Sequence, residues 1–338
     1  MHNIDFEEKL CFDDILLLPR YSQLNSRTEP DISTRFGYDR LAVPIISSPM
    51  DSITGPEMLR AMSIANGMGI LSRCINCSTK DEIERQIKII HSVWESYVNC
   101  INIGCAIGIK DADYKTQRLI METSCNIICL DVAHCDHILA HKAIENVVKL
   151  KRIRKFLLIA GNVCTQSATK TLIDLGVDVI KVGIGPGAAC TTRKVTGCGV
   201  PQLSAILDCV TIAKENNISI IADGGIRSTG DMVKCLWAGA DACMIGYMLA
   251  GTDCTPDING KKIYRGMSSR NVSCRTDIAP EGIDIKIGYR GSTQERLEGF
   301  IKGIKSGFAM AGAKNIEELR QAQAIRISPL AIMESQTL

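Results

Sequence analysis

A closed (β/α)8 barrel is the fold class that the sequence predicts, and three observations support it. Eight short apolar segments end in Gly, Asp or Ser, and amphipathic segments typical of helices separate them. Near-continuous apolar strands that alternate with helices indicate a parallel sheet covered on both faces. The length of 338 residues suits one such barrel with modest insertions. A doubly wound open sheet is the alternative fold, but no glycine-rich dinucleotide-binding turn opens a strand–helix–strand unit here.

The predicted strands and helices alternate along the chain, and a polar or turn-forming residue ends each strand. The strands are predicted at residues 41–51, 67–74, 98–108, 126–134, 156–163, 179–187, 219–227 and 242–249. Helices between them are predicted at residues 79–98, 167–177, 200–217 and 228–240. The carboxyl ends of barrel strands lie on one face, which carries the active site in enzymes of this architecture. We therefore expect the polar residues at these ends to form one site.

After the eighth predicted strand, residues 252–291 form a polar, irregular segment that is rich in turn residues. Long irregular loops on a compact barrel are usually functional. The sequence contains no low-complexity linker and no block of like charges. We therefore predict that residues 1–338 form a single barrel domain and that residues 252–291 form a flap over its site.

The composition argues against two classes of partner. The formal net charge of +2 provides no strong field for nucleic acid or an anionic membrane. No segment approaches the roughly 20 apolar residues that are needed to span a bilayer. The first residues, MHNIDFEEKLCFDD, are acidic and resemble neither a secretory signal nor a transit peptide. The sequence therefore predicts a cytoplasmic protein that binds neither nucleic acid nor membrane.

The chain contains 16 cysteines, and many lie in apolar segments, where free cysteine acts as a small hydrophobic residue. Cys74 and Cys77 form a lone C-x-x-C pair without a second pair at zinc spacing. His134, His137 and His141 lie close together, but no pattern of carboxylates supports a metal site. We interpret both groups as structural.

Residues 182–202, VGIGPGAACTTRKVTGCGVPQ, contain a candidate nucleophile, Cys190. The glycines before it disfavour a regular helix or strand and leave backbone amides free. Thr192 and Arg193 follow closely, and a helix is predicted to begin near residue 200. Cations and the amides of a helix N-terminus lower the pKa of a thiol, and the thiolate is the reactive species. We therefore predict that Cys190 is a nucleophile, and an inert loop cysteine is the alternative.

The seventh and eighth strands end in glycines that suit a phosphate. Gly224 and Gly225 follow the seventh strand, and Gly246 follows the eighth. Glycine-rich turns at these two strands of a barrel expose N–H groups that can bind phosphate. Asp223, directly before the paired glycines, is placed to accept hydrogen bonds from a ribose diol. A tight turn without a ligand is the alternative interpretation.

The chain resembles the inosine monophosphate dehydrogenase and guanosine monophosphate reductase family over nearly its whole length. The resemblance rests on the segments LCFDDILLLPR, SSPMDSIT, LDVAH, AGNV, KVGIGPGAACTTR, ADGGIR, YRGMSS, PEGI and YRG. It implies a (β/α)8 barrel in which the loop cysteine attacks C2 of a purine nucleotide. It also implies that hydride passes between that carbon and a nicotinamide cofactor.

The resemblance implies roles for individual residues. Cys190 would form the covalent adduct, with Thr192 and Glu281 protonating a departing amine. The purine nucleotide monophosphate would be bound by Ser48, Met50, Asp223, Gly225, Gly246, Tyr264, Gly266, Met267 and Ser268. The cofactor side would contain Arg73, Asp131 and Asn162. A potassium ion would bind to the backbone carbonyls of Gly185, Gly187 and Cys190.

The family contains two enzymatic activities, and the resemblance leaves both possible for this chain. A dehydrogenase hydrolyses its adduct with a water that an Arg-Tyr pair on a long flap activates, and residues 266–281 contain no such pair. Dehydrogenases also usually carry regulatory modules after the second strand, and none is inserted here. These departures favour guanosine monophosphate reductase, which uses NADPH and releases ammonia. Inosine monophosphate dehydrogenase, which uses NAD, is the alternative because ADGGIRSTGD, PEGI and DVAH are similar to its bacterial members.

A nucleotide-binding relative without turnover is a further alternative. Ala188 stands where the family often has a phosphate-binding serine, and Tyr247 follows Gly246 where serine or glycine is usual. Arg73 replaces a lysine typical of the reductases, and the flap is shorter than usual.

Family members are tetramers, so the resemblance implies a homotetramer with LCFDD and ISPLAIMESQTL near subunit contacts.

Overall fold

Eight parallel strands close into a barrel in the computed structural model of the chain, which describes residues 7–74, 77–96, 102–273, 276–328, 330–331 and 334. In chain order these strands are β1 (Ile45–Ser47), β2 (Met68–Leu71), β3 (Ile103–Ile107), β4 (Ile127–Asp131), β5 (Leu157–Val163), β6 (Val179–Val182), β7 (Ser219–Asp223) and β8 (Ala242–Ile245). Each strand pairs in parallel with the next, and β8 pairs with β1. The predicted closed barrel is confirmed, and the alternative open sheet is wrong.

The strands are shorter than the predicted segments because turn residues bend the chain at their carboxyl ends. After β6, for example, Gly183 and Gly185 have φ angles of 145° and 89°, which residues with a side chain rarely adopt. The apolar pattern therefore identifies each strand, but the glycines that follow it belong to loops.

A helix follows each barrel strand and covers the outside of the sheet. These helices are α1 (Pro56–Ile64), α2 (Thr79–Ser96), α3 (Ala112–Glu122), α4 (Ile138–Lys149), α5 (Gln166–Asp174), α6 (Gln202–Glu215), α7 (Thr229–Trp237) and α8 (Thr293–Met310). The four helices predicted from the sequence correspond to α2, α5, α6 and α7. In the part of the chain that the structure describes, no helix is both long and apolar enough to cross a membrane.

Alternate residues of the barrel strands point to opposite faces of the sheet. One buried cluster fills the barrel and includes Ile46, Ile70, Ala106, Cys129, Ile159, Val179, Ile221 and Met244. Their strand neighbours pack under the helices in a second cluster, which includes Ile45, Cys105, Ile128, Ile180 and Cys243. The barrel interior is therefore a packed core, and a ligand can bind at its ends but not through it.

A β-hairpin covers the amino-terminal end of the barrel. Its strands, Thr34–Phe36 and Asp39–Leu41, pair antiparallel, and Phe36 and Leu41 are buried in the interior cluster. The backbone N–H of Gly37 donates to the hydroxyl of Ser219, the first residue of β7, at 3.0 Å. With this end covered, the carboxyl ends of the strands form the open face.

The segment between β8 and α8 packs on the open face. It contains the antiparallel strands Ile263–Arg265 and Asp284–Lys286 and a short helix, Arg270–Ser273. The Arg265 Nε donates to the Asp51 carboxylate at 3.0 Å, and this bond attaches the segment to the loop after β1. By contrast, residues 72–78 alone connect β2 to α2, so the chain has no module inserted there.

Candidate active site

A cavity of about 400 Å³ opens at the carboxyl ends of the barrel strands. Strand ends, the loop after β6, the N-terminal residues 11–13 and the segment after β8 all contribute to its wall. Every site residue predicted from the sequence lines this one cavity: Ser48, Met50, Arg73, Asp131, Asn162, Gly185, Gly187, Cys190, Thr192, Asp223, Gly225, Gly246, Tyr264, Gly266, Met267, Ser268 and Glu281.

Three of these residues form a continuous chain of hydrogen bonds. The Cys190 thiol donates to the Thr192 hydroxyl over a Sγ–Oγ1 distance of 3.2 Å. The Thr192 hydroxyl in turn donates to the Glu281 carboxylate at 2.7 Å. A hydroxyl can accept one proton and donate another, so Thr192 can relay a proton between the thiol and the carboxylate.

Backbone pairing between the loop after β6 and the segment after β8 positions Glu281. The Thr191 N–H donates to the Glu281 carbonyl at 2.9 Å, and the Ile283 N–H donates to the Ala189 carbonyl at 3.0 Å. Between them lies Gly282, where a Cβ would meet the Ser269 nitrogen at 3.2 Å. A side chain at this position would crowd the two segments, and the pairing holds the carboxylate beside the thiol.

The chain after Cys190 contains a short helix that the sequence did not predict, in addition to the one that it did. The helix expected near residue 200 is α6, which begins at Gln202, and the short helix Thr192–Thr196 lies closer to the thiol. Arg193 supports the loop: its Nη2 contacts the Val200 carbonyl, and its side chain packs where a Cβ on Gly185 would lie. The hydrogen-bonded partner of the thiol among the described residues is the Thr192 hydroxyl, which bonds in turn to Glu281.

The paired glycines after β7 adopt a conformation that favours glycine. Gly224 and Gly225 have φ angles of 94° and 77°. The Gln202 side chain lies behind this turn and donates from Nε2 to the carbonyls of Val182 and Asp223 at 2.9 and 3.2 Å. Gln202 therefore ties β6 to β7, and it was not predicted from the sequence as a site residue.

Gly246 lies in a closely packed part of the cavity wall. A Cβ at this position would meet Met50 Sδ and Tyr264 Cε2 at 3.1 Å and Ser48 Oγ at 3.3 Å. Burial raises the pKa of Tyr264, and the nearby Asp223 carboxylate raises it further, so this phenol stays protonated and can donate a hydrogen bond.

A buried lysine that was not predicted as a site residue links four strands at the base of the cavity. The Lys181 ammonium on β6 donates to Asp131 on β4 at 2.8 Å and to Asp223 on β7 at 2.7 Å. It also contacts the Asn162 side-chain oxygen on β5. The Asn162 amide nitrogen donates to Asp223 at 2.9 Å and to the Gly183 carbonyl at 2.6 Å. The sequence signal for this cluster is a lysine inside an otherwise apolar strand, VIKV.

The electrostatics of this cluster favour the charged forms of Lys181 and Asp131. Burial alone would lower the pKa of Lys181, but the carboxylates of Asp131 and Asp223 outweigh it and raise that pKa. Burial alone would raise the pKa of Asp131, but the positive charges of Lys181 and Arg73 outweigh it and lower that pKa. The cluster therefore holds charged groups that are paired and hydrogen-bonded, as buried charges must be.

Tyr247 makes contacts that the sequence did not predict. Its ring packs edge-on against Tyr264 with centroids 5.5 Å apart, and the Arg290 guanidinium lies 4.6 Å from the Tyr247 ring centroid. Arg290 also donates to the Tyr247 hydroxyl at 3.0 Å. The bulky residue after Gly246 is thus held in place by a stacked cation.

The two groups interpreted as structural have internal partners. His141 Nε2 lies 3.0 Å from the Asp136 carboxylate, and the Cys77 thiol donates to the Cys74 carbonyl at 3.5 Å. In the ranges that the structure describes, no group of three or more His, Cys, Asp or Glu side chains is arranged to hold a metal ion.

Comparison with known proteins identifies relatives of the chain. The model of the IMP dehydrogenase / GMP reductase domain matches residues 9–337. The inosine-5'-monophosphate dehydrogenase of Staphylococcus saprophyticus is 39% identical over 279 residues, which cover 76% of this chain and 56% of the relative. The corresponding enzyme of Staphylococcus aureus strain Mu50 is 37% identical with the same coverage. The chain thus spans about half the length of these curated relatives.

A solved structure has the same fold. It is a GMP reductase from Trypanosoma brucei in complex with guanosine 5'-monophosphate, with a TM-score of 0.87, 24% identity and 98% of each chain covered. At this identity the likeness shows the fold alone. The domain match over residues 9–337, together with the 39% identical relative, shows that the chain belongs to the IMP dehydrogenase / GMP reductase family.

Proposed function

We propose that the chain is a purine nucleotide oxidoreductase that reduces guanosine monophosphate with NADPH to inosine monophosphate and ammonia. The observation that carries this proposal is the hydrogen-bonded chain from Cys190 through Thr192 to Glu281. It combines a nucleophile with a proton-carrying group in one cavity, which is what displacement of an amine requires. The absence of an Arg-Tyr pair from residues 266–281 supports ammonia release over hydrolysis.

In the proposed reaction, the Cys190 thiolate bonds to purine C2, and the C2–N bond to the amine then breaks. A protonated Glu281 supplies the proton for the departing amine through Thr192. In this step the Glu281 carboxyl donates to the Thr192 hydroxyl, which is the reverse of the direction in the structure. When bound, NADPH supplies a hydride to C2. The C2–S bond breaks as inosine monophosphate forms, and Cys190 returns to the thiolate.

The remaining site residues are proposed to bind the nucleotide. Asp223 would accept hydrogen bonds from the ribose, and the amides of Gly225 and Gly246 would bind the phosphate. The base would contact Ser48 and Met50 on the barrel side, with Tyr264, Gly266, Met267 and Ser268 on the opposite wall.

The cofactor is proposed to bind beside Arg73, Asp131 and Asn162. The Arg73 Nε is buried and has no hydrogen-bond partner among the described residues, so it is a donor that a ligand oxygen can satisfy. Asp131 offers a carboxylate oxygen to hydroxyl or carboxamide donors. These groups fit a nicotinamide nucleotide, with NADPH preferred and NAD as the alternative.

A potassium ion is proposed at the loop that carries Cys190. The backbone carbonyls of Gly185, Gly187 and Cys190 supply oxygen donors, which suit a hard cation. The Gly187 carbonyl accepts the Cys190 N–H at 3.0 Å and keeps a second lone pair for the ion.

Inosine monophosphate dehydrogenase is a second candidate, because the relatives at 39% and 37% identity carry that name. Spectrophotometry of the purified chain distinguishes the two reactions. Loss of NADPH absorbance with guanosine monophosphate is the expected result. Gain of NADH absorbance with inosine monophosphate, without reductase activity, would contradict the proposal. Calorimetric binding without either reaction would identify the third alternative, a relative without turnover, to which Ala188 and Tyr247 point.

We further propose that residues 1–338 act as one barrel domain with residues 252–291 as its flap, in a cytoplasmic homotetramer. Residues 10–14 (LCFDD) are predicted near a subunit contact. The predicted C-terminal contact, residues 327–338, lies largely outside the described residues. Light scattering at micromolar concentration tests the assembly, and a monomer would contradict it.

A further inference from the structure

We propose that Lys181 is a positioning residue that holds the nucleotide half and the cofactor half of the site in one arrangement. This inference rests on the proposed function, in which Asp223 binds the ribose of the nucleotide and Asp131 and Asn162 bind the cofactor. Lys181 contacts all three side chains, and they come from three different strands.

The geometry shows how Lys181 would act through its partners. An ammonium has three N–H donors, and those of Lys181 are used by Asp131, Asn162 and Asp223. The lysine itself is buried, with 2% of its surface exposed. It therefore has no donor left for a ligand and would change binding by fixing the groups that touch ligands.

Each carboxylate keeps one oxygen for a ligand. Lys181 bonds to Oδ1 of Asp131 and to Oδ2 of Asp223. No hydrogen bond from the described residues reaches the other oxygen of either carboxylate. The same ammonium fixes one oxygen of each carboxylate, and the Asn162 amide shares the bonded oxygen of Asp223, so the direction of both free oxygens depends on Lys181 and its contact with Asn162.

Removal of the ammonium would disturb both halves together. Asp131 and Asp223 bond to one nitrogen, so without it two like charges face each other in a buried site. They would turn apart or take up a proton, and either change alters the acceptors offered to nucleotide and cofactor. A lysine that merely stabilised the barrel would leave both affinities unchanged in any variant that folds.

The test uses the full-length chain and measures the dissociation constants of GMP and NADP separately by calorimetry. Lys181→Met should weaken both by about 10-fold or more, the scale of losing a charge-assisted hydrogen bond. Lys115→Met is the matched control, because Lys115 forms a buried ion pair with Glu82 at 2.6 Å outside the cavity. It should change both constants by less than about threefold.

Double-mutant cycles show which carboxylate transmits the loss of affinity for each ligand. In the Asp131→Asn background, Lys181→Met should weaken NADP binding less than it does in the parent, because only the contact with Asn162 remains on the cofactor side, but it should still weaken GMP binding in full. In the Asp223→Asn background the pattern should be reversed, because coupled residues are not additive. If Lys181→Met does not fold, Lys181→Arg replaces it. The planar arginine head keeps the charge but holds its donors in a fork instead of at one nitrogen, so we expect the same pattern with smaller changes.

Two results would overturn the inference alone: a folded Lys181 variant with an unchanged affinity for either ligand, or additive effects in both backgrounds. A parent chain that binds neither GMP nor NADP, and neither inosine monophosphate nor NAD, would overturn the proposed function and this inference with it. If the parent binds inosine monophosphate and NAD, the same cycles apply with those ligands.

Discussion

The Thr192 hydroxyl lies 2.7 Å from the Glu281 carboxylate, although 89 residues separate the two in the sequence. Backbone hydrogen bonds from Thr191 and Ile283 bring the two segments together. The thiol, the hydroxyl and the carboxylate therefore form one unit only when the segment after β8 is paired with the loop after β6. Changes at the ends of this unit give the sharpest tests of the chemistry.

Cys190→Ser should lower kcat for guanosine monophosphate reduction by about 10³-fold or more, because a serine hydroxyl is a far weaker nucleophile than a thiolate. Nucleotide affinity should stay close to that of the parent, since the proposed ribose and phosphate contacts remain. Steady-state rates and calorimetry measure the two effects. Cys198→Ser, at an exposed cysteine eight positions further along the same loop region, is the control and should retain activity. Near-parental turnover of Cys190→Ser would exclude Cys190 from the mechanism.

Gly246→Ala should weaken binding of guanosine monophosphate by about 10-fold, because overpacking forces neighbouring groups to move. The new methyl group would lie 3.1 Å from Met50 Sδ and Tyr264 Cε2, in the wall proposed to bind the nucleotide. Calorimetric titration with the nucleotide gives the change. Gly299→Ala is the matched control in α8, where a Cβ meets nothing within 4 Å. Unchanged affinity in Gly246→Ala would place the nucleotide elsewhere.

The sequence predicts where the strand-end residues lie, but it does not predict the contacts of Lys181 and Arg290. Asp223 ends an apolar strand, and Cys190 lies in the loop after another. The carboxyl ends of all barrel strands lie on one face, so both residues can be predicted to meet there without knowledge of the register. The contacts of Lys181 depend on the register of β4 to β7, which a one-dimensional pattern does not contain. Arg290 reaches Tyr247 across 43 residues through an irregular segment, where no periodicity guides prediction.

Asp131→Asn should lower the free energy of unfolding by about 2 kcal/mol at pH 7, because it breaks a buried ion pair with Lys181. The folded-state pKa of Asp131 lies below its ordinary value of 3.8, so this stabilisation is present above that pH and is lost as pH falls through the folded pKa. Urea unfolding at a series of pH values measures the difference between parent and variant. The difference should shrink below pH 4 or so. A constant difference down to pH 3 would contradict the assigned ion pair.

Glu281→Gln should slow reduction of guanosine monophosphate by about 10²-fold or more, the usual scale for a lost general acid. The side-chain amide of this variant could still accept a hydrogen bond from Thr192, but it has no carboxyl proton to pass to the departing amine. Nucleotide binding should change far less, because the carboxylate acts at the leaving group. Asp284→Asn is the control, since this exposed carboxylate bonds to Asn271 outside the cavity. Steady-state rates of both reactions, in parent and variants, decide the outcome: if Glu281→Gln reduces guanosine monophosphate as fast as the parent, the carboxyl does not supply the proton.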